Sequence, residues 1–520
     1  MTGAEFLLSA LQNQGVSVCF ANPGTTELDL VRAFESEGSM RCVIGLQENV
    51  CTGAADGYGR MTGEPAITLL HLGPGFANGI ANLHNARRAR TPIINVIGDQ
   101  TSWHLPYDAP LTSDIDSLAK PVSGWVHRII SADECGEVAA EAIRQTGLNG
   151  GQGVTLIFPA DHQSETTNKH KATPTLGGKS KPEVIATVDP SKVKELAKRL
   201  QQSTHTVFLL GGGGENSALG ARAQRAVARL CALPGKTAFA ETFPSRSERG
   251  QGLPAFDRLP YFPEPARKVL DQAQLVVLVG AQPPVTYFGY AGQPSMMVEE
   301  ERLFHLCEPG AAAADLLENL ADALDAPPYQ APEIKLPSPP TGDLNPEKIA
   351  SVLVRELPAN AIVSVEGGTC GYPFYAASAA AKPHVTLTNT GGAIGQGLPV
   401  AMGAAIACPD RKVVALVSDG STQYTIQTLW SMAHEGLDIV IFVAANHQYA
   451  ILRNELRRGG GVLSEKAAAM TSLDHPRIDW VQLAQSYGVA GSRAQTAEEL
   501  TLQAKAAFSR KGPTLIEMAL

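Results

Sequence analysis

The chain has 520 residues, of which 44% are hydrophobic and 18% charged, with 42 Lys and Arg against 51 Asp and Glu for a formal net charge of −9. That is the make-up of an ordinary globular protein with ample core, and its length implies two to four domains. The acidic balance without a basic run excludes a nucleic-acid partner, and no apolar stretch nears the roughly 20 residues needed to cross a bilayer.

The opening MTGAEFLLSALQNQG reads as an amphipathic helix and lacks the charged-then-apolar layout of a signal peptide. Eight cysteines (Cys19, Cys42, Cys51, Cys135, Cys231, Cys307, Cys370 and Cys408) are scattered without a CxxC pair, which fits reduced thiols and a cytoplasmic protein. Short β-branched runs follow one another along the chain: VSVCFA (16–21), AITLLH (66–71), TPIINVIG (91–98), VTLIFP (154–159), TVFLLG (206–211), LVVLVG (275–280), VVALVS (413–418) and IVIFVA (439–444). Apolar runs of this kind, alternating with amphipathic helical stretches, predict parallel strands covered by helices on both faces. The fold class expected is therefore α/β. Polar residues 164–184 and Pro-dense residues 326–346 break the rhythm. Cutting there gives three expected domains, 1–165, 185–326 and 346–520, each a mainly parallel sheet covered by helices.

The third block carries the sharpest chemistry. The strand VVALVS runs into Asp419-Gly420-Ser421, and IVIFVAA ends at Asn446-His447-Gln448. This spacing fits strand–helix–strand, placing Asp419 and Asn446 at the carboxyl ends of neighbouring parallel strands, where open α/β sheets bind ligands. A carboxylate, an amide oxygen and a backbone carbonyl, that of Gln448, form an incomplete shell of hard oxygens. Mg²⁺ suits such a shell because it keeps water and phosphate as its remaining ligands. Gly420 and Ser421 offer N–H groups and a hydroxyl to a diphosphate. Singly, DGS is more often a turn and Asn446 a strand-end cap; together, at this spacing, they favour a cofactor.

The DGS…N pattern resembles the thiamine diphosphate motif. Residues 43–60, VIGLQENVCTGAADGYGR, resemble the N-terminal segment of the acetolactate synthase, pyruvate oxidase and benzoylformate decarboxylase group. The resemblance covers essentially the whole chain. It implies a thiamine diphosphate-binding fold in the first and third domains, a doubly wound middle domain, and the cofactors thiamine diphosphate and Mg²⁺. It also implies that Glu48 contacts the aminopyrimidine N1′, so that the ring can remove the proton that masks the cofactor's nucleophilic carbon. In Gly391-Gly392-Ala393-Ile394-Gly395-Gln396-Gly397 the resemblance makes Gly392 the acceptor for the 4′-amino group and Ile394 the wedge between the rings. Gly367, Gly368 and Thr369 match a second diphosphate-contacting turn, and Tyr449 falls beside the cofactor. Family members assemble as dimers or tetramers with each cofactor between two chains. Glu48 would come from one chain, and Asp419, Gly420 and Asn446 from its partner.

The resemblance to particular members is divided. Asn22-Pro23-Gly24-Thr25 resembles the NPG turn of the decarboxylases, with Thr25 where benzoylformate decarboxylase carries a substrate-binding serine, and His71 falls where that enzyme has an active-site histidine. No histidine stands near Tyr287 or Phe288, where its second one aligns. Gly73-Pro74-Gly75, read as a turn after His71, is more like acetolactate synthase, and Gly98-Asp99-Gln100-Thr101 matches its glutamine-bearing segment in part. Leu111, Thr388, Ile451 and Leu452 are the pocket positions the alignment gives, with Glu455 nearby. The glycine-rich LLGGGGENS (209–217) is too common a pattern to support FAD. The expectation is a decarboxylase or carboligase of small 2-oxo acids, acetolactate-synthase-like. The alternatives are a benzoylformate-decarboxylase-like enzyme releasing an aldehyde, a flavin oxidase of the pyruvate oxidase type, and a non-catalytic relative.

Overall fold

All eight apolar runs form parallel strands in the computed structural model, which describes residues 1–36, 40–167 and 190–520. Two of them, Ala66–His71 and Val413–Ser418, have the bounds expected from the sequence. The opening helix spans Gly3–Asn13 behind a capping box in which Thr2 and Glu5 satisfy each other's backbone N–H. The polar break lies, from residue 168 onward, outside the described residues. The Pro-dense stretch carries no helix or strand from 326 to 341.

The described residues divide into two compact units, one within Met1–Glu183, Pro337–Ala377 and Gly391–Leu520, the other within Val184–Leu336 and Ser378–Thr390. The strands in chain order are β1 (Val18–Asn22), β2 (Arg41–Ile44), β3 (Ala66–His71), β4 (Ile93–Asp99), β5 (Trp125–Arg128) and β6 (Gly153–Pro159). They continue as β7 (Thr206–Leu210), β8 (Lys236–Ala240), β9 (Arg246–Arg249), β10 (Leu275–Val279), β11 (Leu303–Cys307) and β12 (Ile362–Val365). The last are β13 (His384–Thr388), β14 (Val413–Ser418), β15 (Ile439–Ala445), β16 (Ala490–Ala494) and β17 (Thr514–Ala519). The first unit holds a parallel sheet in the order β2-β1-β3-β4-β6-β5 and a second parallel array in the order β16-β17-β15-β14-β12. The second unit holds a parallel sheet ordered β11-β10-β7-β8, and an antiparallel pair of β9 with β13.

Glycine decides how the two sheet systems of the first unit meet. The Glu48–Thr62 and Gly397–Ala407 helices cross so closely that a Cβ on Gly57 would stand 2.1 Å from the Val400 carbonyl oxygen, and one on Gly403 1.8 Å from that of Ala54. Beside this crossing the fully buried Asp56 accepts from Arg60 through both oxygens, at 2.8 and 2.6 Å, and from Thr91 at 2.6 Å and Gln396 at 2.8 Å. Both oxygens of the buried carboxylate are thus paired, which is the condition for burying a charge at tolerable cost.

All eight cysteines are free thiols. Burial pushes Cys135, Cys231 and Cys370 up to about 12, so they serve as small core residues and not as nucleophiles.

In the second unit, His384 on β13 is 3% exposed, and burial lowers its pKa from 6.5 to about 4. Between those values the unfolded chain binds a proton that the folded chain refuses, so stability falls as pH drops from about 6.5 towards 4. The expected loss is on the order of 3 kcal/mol, from about 1.4 kcal/mol per pH unit. Urea unfolding followed at pH 7 and pH 4.5 should show the loss in wild type and a smaller one in His384→Gln.

Candidate active site

Three strand tips converge in the carboxyl-terminal part of the first unit. Asp419 follows β14 directly and Asn446 follows β15, and the two strands pair in parallel with Ser418 beside Ala444. Asp419 is 2% exposed; its Oδ1 accepts from the Gly420 N–H at 2.8 Å and its Oδ2 from the His447 N–H at 2.6 Å. Burial pushes its carboxyl above the usual range, with the two N–H donors opposing. No ion pair reaches it among the described residues. Asn446 donates through Nδ2 to Thr369 Oγ1 at 3.0 Å, which ties in the turn after β12. A Cβ on Gly367 would lie 2.1 Å from Ser418 Oγ, so only glycine lets that turn approach β14, and its φ of +104° suits glycine as well.

The groups expected to face a diphosphate share this locality. Gly420 and Ser421 lie in the short Asp419–Thr422 helix, with the Ser421 hydroxyl donating to the Ser418 carbonyl at 3.0 Å. A Cβ on Gly420 would meet the Tyr449 ring at 2.6 Å, so glycine is what admits that ring. Tyr424 lies close to Tyr449, a neighbour that no sequence pattern pointed to. Gln448 donates its N–H to Asn446 Oδ1 at 3.1 Å and its side-chain oxygen accepts from Arg453. Its carbonyl accepts the Ala450 N–H at 3.0 Å, which leaves that oxygen a second lone pair.

This donor set fits a hard divalent cation. Among the described residues no group of three or more His, Cys, Asp or Glu gathers as a protein-only cage. The site instead offers one buried carboxylate in no salt bridge among the described residues, an amide oxygen and a carbonyl, which is the partial shell that a phosphate-bound Mg²⁺ completes.

The loop 391–397 is tied to the β12 tip through Glu366 and is held from several sides. Gly392 is exposed, Ile394 half-buried, and Gly392 and Gly395 adopt φ of +80° and +98°. Glu366, immediately after β12, and His84 and Asn85, from the Leu72–Ala89 helix, bond its backbone.

A second cluster forms in the amino-terminal part of the same unit. Glu48 opens the Glu48–Thr62 helix half-buried, and its Oε2 accepts from Asn78 at 3.0 Å. A Cβ on Gly75 would meet Glu48 Oε1 at 3.1 Å and the His71 Cβ at 3.3 Å, so Glu48 and His71 face the same few atoms. His71 Nδ1 bonds to Glu27 Oε2 at 2.8 Å, and Thr26 Oγ1 lies 3.2 Å from the same nitrogen. Glu27 is fully buried and also accepts the Gly24 N–H at 2.8 Å. A Cβ on Gly98 would lie 1.8 Å from Glu27, and one on Gly24 2.2 Å from His71 Nδ1. These two glycines clear the space in which the carboxylate grips the imidazole. With Nδ1 held by Glu27, Nε2 is the nitrogen left for chemistry. Thr25 is exposed at the tip of this turn, one residue from the threonine that touches His71.

Glu27 is not among the residues the sequence singled out; the signal for it is its place three residues after Gly24, where its carboxylate caps the turn. Gly73-Pro74-Gly75 is not a free turn but opens the Leu72–Ala89 helix, where proline's missing N–H costs nothing. No hydrogen bond among the described residues joins Glu48 to Asp419, Asn446 or Thr369.

Of the remaining positions, Ile451 and Leu452 follow Tyr449 on the Ala450–Arg458 helix, the Leu452 N–H donating to the Tyr449 carbonyl at 3.1 Å. Leu111, Ile451 and Leu452 are exposed, and Glu455 pairs with Arg458 at 3.1 Å. Thr388 is buried in the second unit and donates to the Pro244 carbonyl at 2.7 Å. In the glycine-rich segment of that unit the Gly212 N–H donates to Glu241 at 2.6 Å and the Gly213 N–H to the Arg246 carbonyl at 3.1 Å. These are the donors a nucleotide phosphate would need, so the loop gives FAD no support.

No helix among the described residues is long and apolar enough to cross a membrane. Residues 1–119 match the thiamine pyrophosphate enzyme N-terminal TPP binding domain, and residues 367–518 match the C-terminal TPP binding domain. Over 526 residues the chain is 44% identical to the Mycobacterium tuberculosis protein named "Putative acetolactate synthase large subunit IlvX", spanning 100% of this chain and 99% of that one. It is 30% identical to benzoylformate decarboxylase of Pseudomonas aeruginosa, over 98% of this chain and 97% of that one. The solved structure of a Rhodococcus jostii thiamine diphosphate-dependent 4-hydroxybenzoylformate decarboxylase superposes with a TM-score of 0.85 at 26% identity, covering 100% and 99% of the two chains. Matched across both cofactor-binding domains and along its whole length, the chain belongs to the thiamine pyrophosphate enzyme family.

Proposed function

We propose that this protein is a thiamine diphosphate- and Mg²⁺-dependent enzyme that cleaves or forms the bond next to the carbonyl of a 2-oxo acid, acetolactate-synthase-like in outcome. The observation that carries the reading is the buried Asp419 carboxylate, held at a strand tip beside Asn446 and in no salt bridge among the described residues. Asp419, the Asn446 side-chain oxygen and the Gln448 carbonyl would hold Mg²⁺. Gly368, Thr369, Gly420, Ser421 and Tyr449 would border the diphosphate, and Gly392 and Ile394 the rings. Bound there, thiamine diphosphate supplies a carbon nucleophile for the oxo group and a sink for the electrons left by the carboxylate.

The chain's own residues do the rest. Glu48, steadied by Asn78, shares a proton with the pyrimidine ring at N1′. His71, anchored at Nδ1 by Glu27, gives or takes a proton at the substrate through Nε2, and Thr25 borders the substrate carboxylate. The half-exposed apolar side chains of Leu111, Ile451 and Leu452 suit an uncharged substrate tail. As in the family the sequence resembles, Glu48 of one chain would serve the Asp419 cluster of its partner in a homodimer or homotetramer. The division into domains 1–165, 185–326 and 346–520 and a cytoplasmic setting belong to the same proposal.

A second reading, aldehyde release as in benzoylformate decarboxylase, is favoured by the His71–Glu27 pair, a ready proton donor. Incubation with pyruvate and, separately, with an aromatic 2-oxo acid decides between them: acetolactate from pyruvate supports the first, free aldehyde the second. No carbon dioxide from any 2-oxo acid in the presence of both cofactors would defeat both. His71→Ala is expected to shift the ratio of ligated product to aldehyde by about a hundredfold, the lower end of the range for loss of one acid–base group. An unchanged ratio by product chromatography would reduce His71 to packing.

A further inference from the structure

We propose that Glu366 and Asn85 are positioning residues that hold the 391–397 loop in the shape required for Gly392 and Ile394 to engage the cofactor, a role that rests on the reading of that loop given above. The loop cannot shape itself. It is built of Gly391, Gly392, Ala393, Ile394 and Gly395, two of them at positive φ, and such a segment has many conformations and few side chains to select one.

Order is supplied from outside. Glu366 is 3% exposed, and its Oε1 accepts the N–H groups of Gly395 at 2.8 Å and Gln396 at 3.2 Å, while Oε2 accepts that of Gly397 at 2.8 Å. These are donors at the start of the Gly397–Ala407 helix, whose own N-cap, Gln396, makes no side-chain capping bond. A carboxylate delivered from β12 therefore does the work of a local cap, favoured by the helix dipole. From the other side, Asn85 clasps a single residue: its Nδ2 donates to the Ala393 carbonyl at 2.8 Å and its Oδ1 accepts the Ala393 N–H at 3.1 Å. Asn82 at 3.3 Å and Thr425 at 2.9 Å donate to the Gly395 carbonyl. Both neighbours of Ile394 are thus bonded at N–H and at C=O.

Glutamine at position 366 keeps the size of the side chain but replaces one acceptor with an NH₂ group, so two donors would oppose each other at Gly395–Gly397. The test uses full-length wild type, Glu366→Gln and Asn85→Ala with thiamine diphosphate and Mg²⁺. Two quantities are read: the rise in melting temperature on adding both cofactors, and the rate of C2–H exchange of bound cofactor in deuterium oxide. The first reports on the diphosphate end; the second reports on the mutual placement of the rings.

Both variants are expected to keep most of the thermal shift while exchange slows by about tenfold or more, the scale of lost alignment. Exchange within about twofold of wild type in either folded variant overturns the role. Parallel loss of shift and exchange, or failure of both variants to fold, assigns the residues to the fold alone and overturns it as well. A wild type without a cofactor-dependent shift refutes the thiamine reading itself, so the two failures are distinguishable.

Discussion

Glu48→Gln is expected to fold normally and to retain thiamine diphosphate, yet to lose about 10²–10⁴-fold in kcat, the range for removing one general acid–base group. The amide preserves the size of the side chain and can still bond Asn78, so the entrance to the Glu48–Thr62 helix need not change. What it cannot do is exchange a proton with a ring nitrogen. Steady-state kinetics should therefore show a collapse in kcat, while titration of the cofactor against tryptophan fluorescence shows little change in affinity. Activity within a few fold of wild type would remove Glu48 from the chemistry.

Asp419→Ala should fail in the opposite way. Ligand that binds only the folded state stabilises it by about 2.7 kcal/mol at a hundredfold excess over Kd, and this variant should lose nearly all of that with thiamine diphosphate and Mg²⁺. The cofactor-free protein should not lose stability in parallel. An unpaired buried carboxylate is itself unfavourable, and its removal offsets the loss of its bonds to the Gly420 and His447 N–H groups. Differential scanning fluorimetry with and without the two cofactors separates these effects. A full cofactor-dependent shift in Asp419→Ala would show that the cation is held elsewhere.

Some of the information that builds this fold is local and some is not. β14 and β15 were legible because buried parallel strands are continuous apolar runs, and Asp419 and Asn446 because they stand at the ends of those runs. β9, Arg246–Arg249, was not: its sequence RSER has no strand pattern, and it is a strand because it pairs with β13, with Ser247 hydrogen-bonded to Thr386 at 2.6 Å. Asn85 was equally hidden, since its partner Ala393 lies 308 positions away and an asparagine within a helix signals nothing by itself. Glu366 read as the residue before a glycine turn, and only the folded chain reveals the three N–H groups it accepts. Glycine motifs are visible as a pattern, whereas the reason for Gly57 and Gly403, a helix crossing too close for any Cβ, exists only in the folded chain.

The measurement that bears most directly on a site shared between chains is complementation of two dead variants. Chains carrying Glu48→Gln and chains carrying Asp419→Ala would be co-expressed with different tags, and the mixed oligomers purified and assayed for 2-oxo acid turnover. If Glu48 of one chain serves the Asp419 cluster of its partner, each mixed dimer contains one intact site and recovers about half of wild-type activity by site count. Mixed oligomers as inactive as either parent would mean that both groups must come from the same chain, and would contradict the account.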